Sequence, residues 1–263
     1  MSDLVYHAGA TGYDQLFART TRLFIPALLR TARVAPGHRV LDIATGTGLA
    51  AEAAAAAVGP SGYVVAGDIS LPMLDKARRN LKGLSVGLAA MDGQLLPCPD
   101  GSFDAVICQL GLMFFPDPAG GLSEFRRVLR AGGYVAVSAT PTPERSLYGR
   151  AGVVIARYLP SRAEVLNRYF AMGDAGQLRA LLDGAGFRDV EVKSERRQIV
   201  FGSFDDYFRG IEQGAGLAGQ EYVTLPDKAR RAVREELQQS LAAAEADRRL
   251  AIEMEVLIGG GLR

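Results

Sequence analysis

One short run of residues carries the first sign of chemistry. Asp42-Ile43-Ala44-Thr45-Gly46-Thr47-Gly48 combines an acid with small residues and two threonines. Small residues let backbone N–H groups approach a ligand closely, and a helix starting behind such a loop points its positive end at it. Asp68 stands 20 residues after Gly48. A carboxylate ending the next strand accepts two hydrogen bonds from the vicinal hydroxyls of a ribose and repels a 2′-phosphate. Loop and acid together read as a site for an adenosine-bearing cofactor. They do not say which one, because dinucleotide enzymes use a similar turn. Those enzymes prefer a further glycine three residues after the second, where this chain has Ala51.

A loop and an acid so placed need strands to hold them. The apolar run 40–44 stops at the loop and reads as a buried strand. The alanine-rich stretch 49–58, closed by Gly59-Pro60, reads as a helix. A second strand covers 63–67, and Ser70 and Pro72 then open a helix reaching 81. Strands at 84–90 and 103–110 follow, then a helix over 119–129 ended by Gly132-Gly133, and a strand over 134–139. Strands separated by such helices form βαβ units in a parallel sheet, with the ligand outside the carboxyl ends of the strands.

Beyond residue 140 the pattern loosens. A helix is expected from Gly173-Asp174 to Leu182, a strand at 190–193, helices between 204 and 248, and a last strand over 252–258 ending at Gly259-Gly260-Gly261. The expected fold class is α/β: a Rossmann-like, doubly wound, mostly parallel seven-stranded sheet with helices on both faces and a small helical cap. The expected organisation is an N-terminal helical lid over 1–33, a main domain over 34–141 and 173–263 with a helical insertion at about 204–248, and a cap insertion over 142–172.

Composition narrows the function classes. The chain has 263 residues and a formal net charge of +1, which argues against a global attraction to nucleic acid. No apolar run is long enough to span a bilayer, and no basic region followed by an apolar stretch marks a leader, so a cytoplasmic location is expected. The only cysteines, Cys98 and Cys108, fit no zinc spacing; neither a metal site nor a disulfide is expected. A homodimer is left open.

Several further stretches fall in order: Gly67-Asp68-Ile69-Ser70 with Met73-Leu74, Asp92-Gly93-Gln94, Leu96-Pro97 with Pro99-Asp100-Gly101-Ser102-Phe103-Asp104, and Arg126-Arg127-Val128-Leu129-Arg130 with Gly132-Gly133. With the glycine loop, they make the chain resemble class I S-adenosylmethionine methyltransferases, in their ubiquinone/menaquinone-biosynthesis-like branch, over roughly residues 34 to 140. The usual first glycine of that family is Ala44 here. The resemblance implies S-adenosylmethionine as cofactor. It places Gly46 and Gly48 with Ala44 and Thr45 against the methionine part, with Asp42 at the strand end behind them. Asp68 would bind the ribose, with Ile69 and Met73 on the adenine, and Asp92, Gly93 and Gln94 at the adenine edge. Gln109 would lie under the sulfonium, and Tyr13 belongs to a segment that folds over the cofactor in that family.

The acceptor is less well marked. Methyl transfer is an in-line displacement, needing a base only where the acceptor must lose a proton. His38 precedes the first strand and belongs at the far edge of the sheet; His7, in the expected lid, is the one weak candidate. No Asn/Asp-Pro-Pro-Tyr follows the fourth strand, which argues against methylation of an adenine amino group. Leu112, Met113, Phe114 and Phe115 read as core or pocket wall. Tyr148, Tyr158, Tyr169, Phe170 and Tyr207 would suit a small apolar or aromatic acceptor, methylated on carbon or oxygen, or else form the core of the cap. Two alternatives remain: a protein that binds the cofactor without methylating, and a nicotinamide-dependent reductase. The glycine spacing and the lack of any Tyr-x-x-x-Lys argue against the second.

Overall fold

The computed structural model describes residues 20–147, 149–214, 216–246 and 249–263. His7, Tyr13 and Tyr148 lie outside the described residues, as does most of the expected lid.

One sheet organises the molecule. Its strands are β1 (Arg39–Ile43), β2 (Tyr63–Asp68), β3 (Val86–Ala90), β4 (Phe103–Gln109), β5 (Leu129–Ala139), β6 (Arg188–Phe201), the two-residue β7 (Glu245–Ala246) and β8 (Arg249–Leu262). The spatial order is β3-β2-β1-β4-β5-β8-β6, with β7 beside β8. The first five strands run parallel, and β8 is antiparallel to both β5 and β6. This is the mostly parallel seven-stranded arrangement expected, with the short β7 added.

Helices α1 (Ile25–Thr31), α2 (Leu49–Val58), α3 (Leu71–Asn80) and α4 (Pro118–Val128) flank β1 to β5. Helices α5 (Gly149–Tyr158) and α6 (Ala163–Asn167) follow β5, and α7 (Ala175–Gly184) precedes β6. Helices α8 (Phe204–Glu212), α9 (Gly216–Val223) and α10 (Asp227–Leu241) lie between β6 and β8. Among the described residues, no helix is long and apolar enough to cross a membrane.

Strand alternation divides the interior. Val40 of β1 joins a core with the α2 alanines Ala50, Ala51 and Ala54, while Leu41 faces a second core with Leu122 and Phe125 of α4 and Leu178 and Leu182 of α7. Helices therefore cover both faces, which is why the parallel strands read as near-continuous apolar runs. Asp117 and Asp174 cap α4 and α7 by accepting from the amides of Gly120 and Gln177.

Three expectations need correction. Gly132-Gly133 do not end α4, which stops at Val128; they lie inside β5, at a register shift opposite Phe103 and Ala105, with Gly132 at φ 81°. Gly259-Gly260-Gly261 do not end the last strand either, because all three pair with β5 inside β8. Their lack of a side chain serves packing: a Cβ at Gly260 would lie 2.3 Å from Thr31 Cγ2, and one at Gly259 2.9 Å from Leu182. The strand expected at 190–193 is the whole of β6, which runs on to Phe201 beside β8. Its Glu195-Arg196-Arg197-Gln198 stretch conceals the strand because polar residues on both faces there break the apolar alternation that marks one.

Helices α5 and α8 to α10 pack as one body. Val154 and Ile155 of α5 share a core with Phe208 of α8, Leu217 of α9, and Val233 and Leu237 of α10. Tyr207 donates its hydroxyl proton to the Leu147 carbonyl across 3.0 Å, and Arg162 bonds Glu221 of α9. This body rests on the far ends of β6 and β8, through Ile199, Phe201, Leu250 and Ile252.

Candidate active site

The loop after β1 is held from below. Thr45 donates its amide to Gly67 O of β2 across 3.0 Å and its hydroxyl to Asp42 Oδ2 across 2.6 Å. Asn80 Nδ2 donates to Thr47 O across 2.9 Å, so α3 also fastens the loop. Ala44 takes φ 56°, a left-handed conformation costing a residue with a Cβ about 1–2 kcal/mol. Gly111 supplies the space for that methyl, since a Cβ on Gly111 would stand 2.4 Å from the Ala44 Cβ. Glycine at position 44 would escape the strain, which accounts for the family's usual residue there.

Asp68, at the end of β2, is only 8% exposed. Its Oδ2 accepts from the Gly46 amide and its Oδ1 from the Ser70 amide, each across 2.8 Å. Burial pushes its carboxyl upward, and these amides oppose the shift. Each oxygen keeps acceptor capacity for a hydroxyl. Beyond β3, Asp92 Oδ1 accepts from the Gln94 amide across 2.9 Å, and Gln94 Oε1 accepts from the Asp117 amide across 2.7 Å. Gly93 lies under Phe115, where a Cβ would come within 2.4 Å of the ring.

These groups line a cleft of about 200 Å³ at the carboxyl ends of β1, β2 and β4. Of the residues expected to hold a cofactor, it brings together Ala44, Gly46, Asp68, Ile69, Met73, Asp92, Gly93, Gln94 and Gln109. Asp42 and Thr45 line a second cavity, of about 20 Å³, together with Thr21, Thr47, Ala44 and Gln109. That is room for roughly one water molecule. Gln109 joins the two spaces and donates Nε2 to Thr21 O across 2.9 Å, tying the chain before α1 to the end of β4. Gly48 lines neither: at φ 92° it caps α2 and packs on Leu81.

Asp42 is fully buried, and its Oδ1 has no hydrogen-bond partner among the described residues. Burial pushes its carboxyl up to about 7; the Thr45 hydroxyl opposes the shift and the nearby Asp68 carboxylate adds to it.

The opposite wall is apolar. Met113, Phe114, Phe115 and Pro116, from the segment between β4 and α4, face Tyr169. Phe114 meets the Tyr169 ring edge-on, with centroids 5.1 Å apart at 85°, and the Leu217 amide donates to Tyr169 Oη across 3.2 Å. Leu112 is core instead. Of the other expected aromatics, Tyr207 is buried inside the helical body, Phe170 packs on Gly149, and Tyr158 is surface-exposed. Thr21, Ser70, Met91, Leu110, Gly111 and Pro116 also line these spaces, unanticipated from the sequence. Of these, Ser70 carried a sequence signal, standing in the Gly67-Asp68-Ile69-Ser70 run.

His38 lies in the turn ahead of β1, at the end of the sheet away from the cleft. Both cysteines are free, and no metal-binding cluster occurs among the described residues.

Comparison with known proteins points the same way. Residues 41–137 match the family model described as a methyltransferase domain. The chain is 32% identical over 216 residues to the ubiquinone/menaquinone biosynthesis C-methyltransferase UbiE of Cellvibrio japonicus, covering 74% of this chain and 87% of that protein. It is 39% identical over 139 residues to the protein of that name from Cupriavidus taiwanensis, covering 51% of this chain but only 57% of the relative. Among solved structures, phosphoethanolamine N-methyltransferase 2 of Haemonchus contortus, in complex with S-adenosyl-L-methionine, shares the fold at TM-score 0.65 and 19% identity, across 99% of this chain and 58% of that one. With its loop, its two carboxylates and its sheet order, the chain belongs to the UbiE-like branch of the class I S-adenosylmethionine-dependent methyltransferases.

Proposed function

We propose that the chain transfers a methyl group from S-adenosylmethionine to a carbon or oxygen of a small apolar or aromatic molecule, with a quinol-type ring carbon as the first candidate. One observation carries this reading. A single cleft has hydroxyl-accepting carboxylates at one end and an apolar aromatic wall at the other. The relatives' name, C-methyltransferase of ubiquinone/menaquinone biosynthesis, supports the choice of ring.

The residues suit the cofactor. Around Gly46, nothing lies within 4 Å of where a Cβ would stand, so the loop leaves open space beside the Asp68 carboxylate. Asp68 would hold the ribose, Asp92 and Gln94 the adenine edge, and Ile69 and Met73 its face. Asp42, with its unpartnered buried oxygen, and Gln109 would bound the methionine end. Bound there, S-adenosylmethionine supplies a methyl on a sulfonium sulfur; in-line displacement leaves the C–S electron pair on sulfur, and the acceptor loses a proton.

Phe114, Phe115 and Tyr169 would orient a planar acceptor and exclude water. Among the described residues, the cleft lining has no histidine, lysine or cysteine to act as base. An electron-rich ring that ionises unaided has no need of one. The same lack supports a second reading, in which the chain binds the cofactor without methylating. Incubation with methyl-labelled S-adenosylmethionine separates the two. Label is expected in a quinol or phenol and not in an alkylamine; cofactor binding with no label in any acceptor would favour the second.

A further inference from the structure

We propose that β6 is a dimerisation edge, on which a second copy of this chain adds its own β6 antiparallel, about a two-fold axis at Ser194. This inference is independent of the methylation reading. β6 ends the strand order, so among the described residues its outer edge has no strand beside it. A long unpaired edge presents N–H and C=O groups to any strand that matches it. Native proteins commonly blunt such edges with charges that repel, and the charges here do otherwise.

Glu191, Lys193, Glu195 and Arg197 share one face of β6, as the same-strand contacts Lys193–Glu191 at 2.6 Å and Arg197–Glu195 at 3.1 Å show. A two-fold axis normal to the sheet keeps each face on its own side, so it must pass through a residue and pair residues of like parity. Through Ser194, it sets Glu191 opposite the second copy's Arg197 and Lys193 opposite its Glu195, and symmetry repeats both pairs. Moved to Lys193, the axis sets Glu191 against Glu195; moved to Glu195, it sets Lys193 against Arg197. Of these three registers, only the one at Ser194 gives all four residues an opposite charge and no like pair, and directly opposed charges favour or penalise strand pairing. Just upstream, Val190 O already accepts from Arg179, which sets the start of the free edge. The cleft lies at β1, β2 and β4, across β5 and β8 from this edge, and pairing leaves it open.

Sedimentation equilibrium of the full chain tests this. A reversible dimer is expected, weakening with added salt. Lys193→Glu turns two attractive pairs into repulsive ones, and should raise the dimer dissociation constant by about tenfold. Lys193→Glu combined with Glu195→Lys restores the ladder, and should return the constant to within about threefold of the starting protein. Circular dichroism and S-adenosylhomocysteine binding should stay unchanged in every variant, separating a lost interface from a lost fold. A chain that stays monomeric at every concentration, a dimer indifferent to Lys193→Glu, or a double variant no better than the single one would overturn the proposal.

Discussion

Two regions of the molecule bury carboxylates, and they treat them differently. In the helical body and the ribbon beneath it, Glu221 and Glu255 are 7% and 3% exposed, and arginines meet both. Arg162 reaches Glu221 at 2.7 Å, while Arg196 and Arg145 reach Glu255 at 3.1 and 3.4 Å. In the glycine-loop region, Asp42 and Asp68 are 0% and 8% exposed, and among the described residues neither has a cationic partner. Amides and one threonine hydroxyl serve them instead. A buried carboxyl without a counter-ion is costly to ionise, and persists where a ligand or reaction uses it. The first pair of acids holds helices together; the second faces space that a hydroxylated, cationic molecule would fill.

The largest effect expected from this contrast is in pH dependence. Between the ordinary carboxylate value of 3.8 and about 7, folded Asp42 keeps a proton that the unfolded chain has lost. Stability from this group therefore falls as pH rises through that window, by up to about 1.4 kcal/mol per pH unit, and levels off above it. Asp42→Asn should remove this group's share of the slope, leaving the smaller share from the raised Asp68 carboxyl. Urea midpoints at acid and neutral pH check this, and parallel curves for the two proteins would break the comparison.

Next in size is Arg162→Met, which strands Glu221 and should cost about 3 kcal/mol of stability while leaving affinity for S-adenosylhomocysteine unchanged. A loss of cofactor affinity there would erase the distinction between the two regions. The smallest expected effect is Tyr169→Ala. It should raise the acceptor KM by roughly tenfold, the equivalent of about 1.4 kcal/mol of ring contact, with cofactor affinity untouched. An unchanged KM would remove Tyr169 from the acceptor wall.

The same contrast explains what could be read in advance. Asp42 and Asp68 stand at the ends of the paired strands β1 and β2, with Gly46 in the loop between, so a short local pattern marks all three. The apolar wall joins the segment after β4 to Tyr169 and, behind it, Leu217. No local periodicity links those stretches; only folding brings them together. Tyr158 and Tyr207 looked equally eligible, and differ from Tyr169 solely in where the helices turn them. The far halves of β6 and β8 were concealed by charge, and the glycines of β8 by their usual role in ending strands. Their actual role, giving α1 and α7 room to pack close, depends on neighbours distant in sequence.

Calorimetric titration of the full chain with S-adenosylhomocysteine, beside Asp68→Ala, tests the central claim most directly. One site of micromolar-range affinity is expected, and the variant should lose about 2–3 kcal/mol of binding as two hydrogen bonds to a buried carboxylate disappear. Equal affinity in the two proteins would contradict the account.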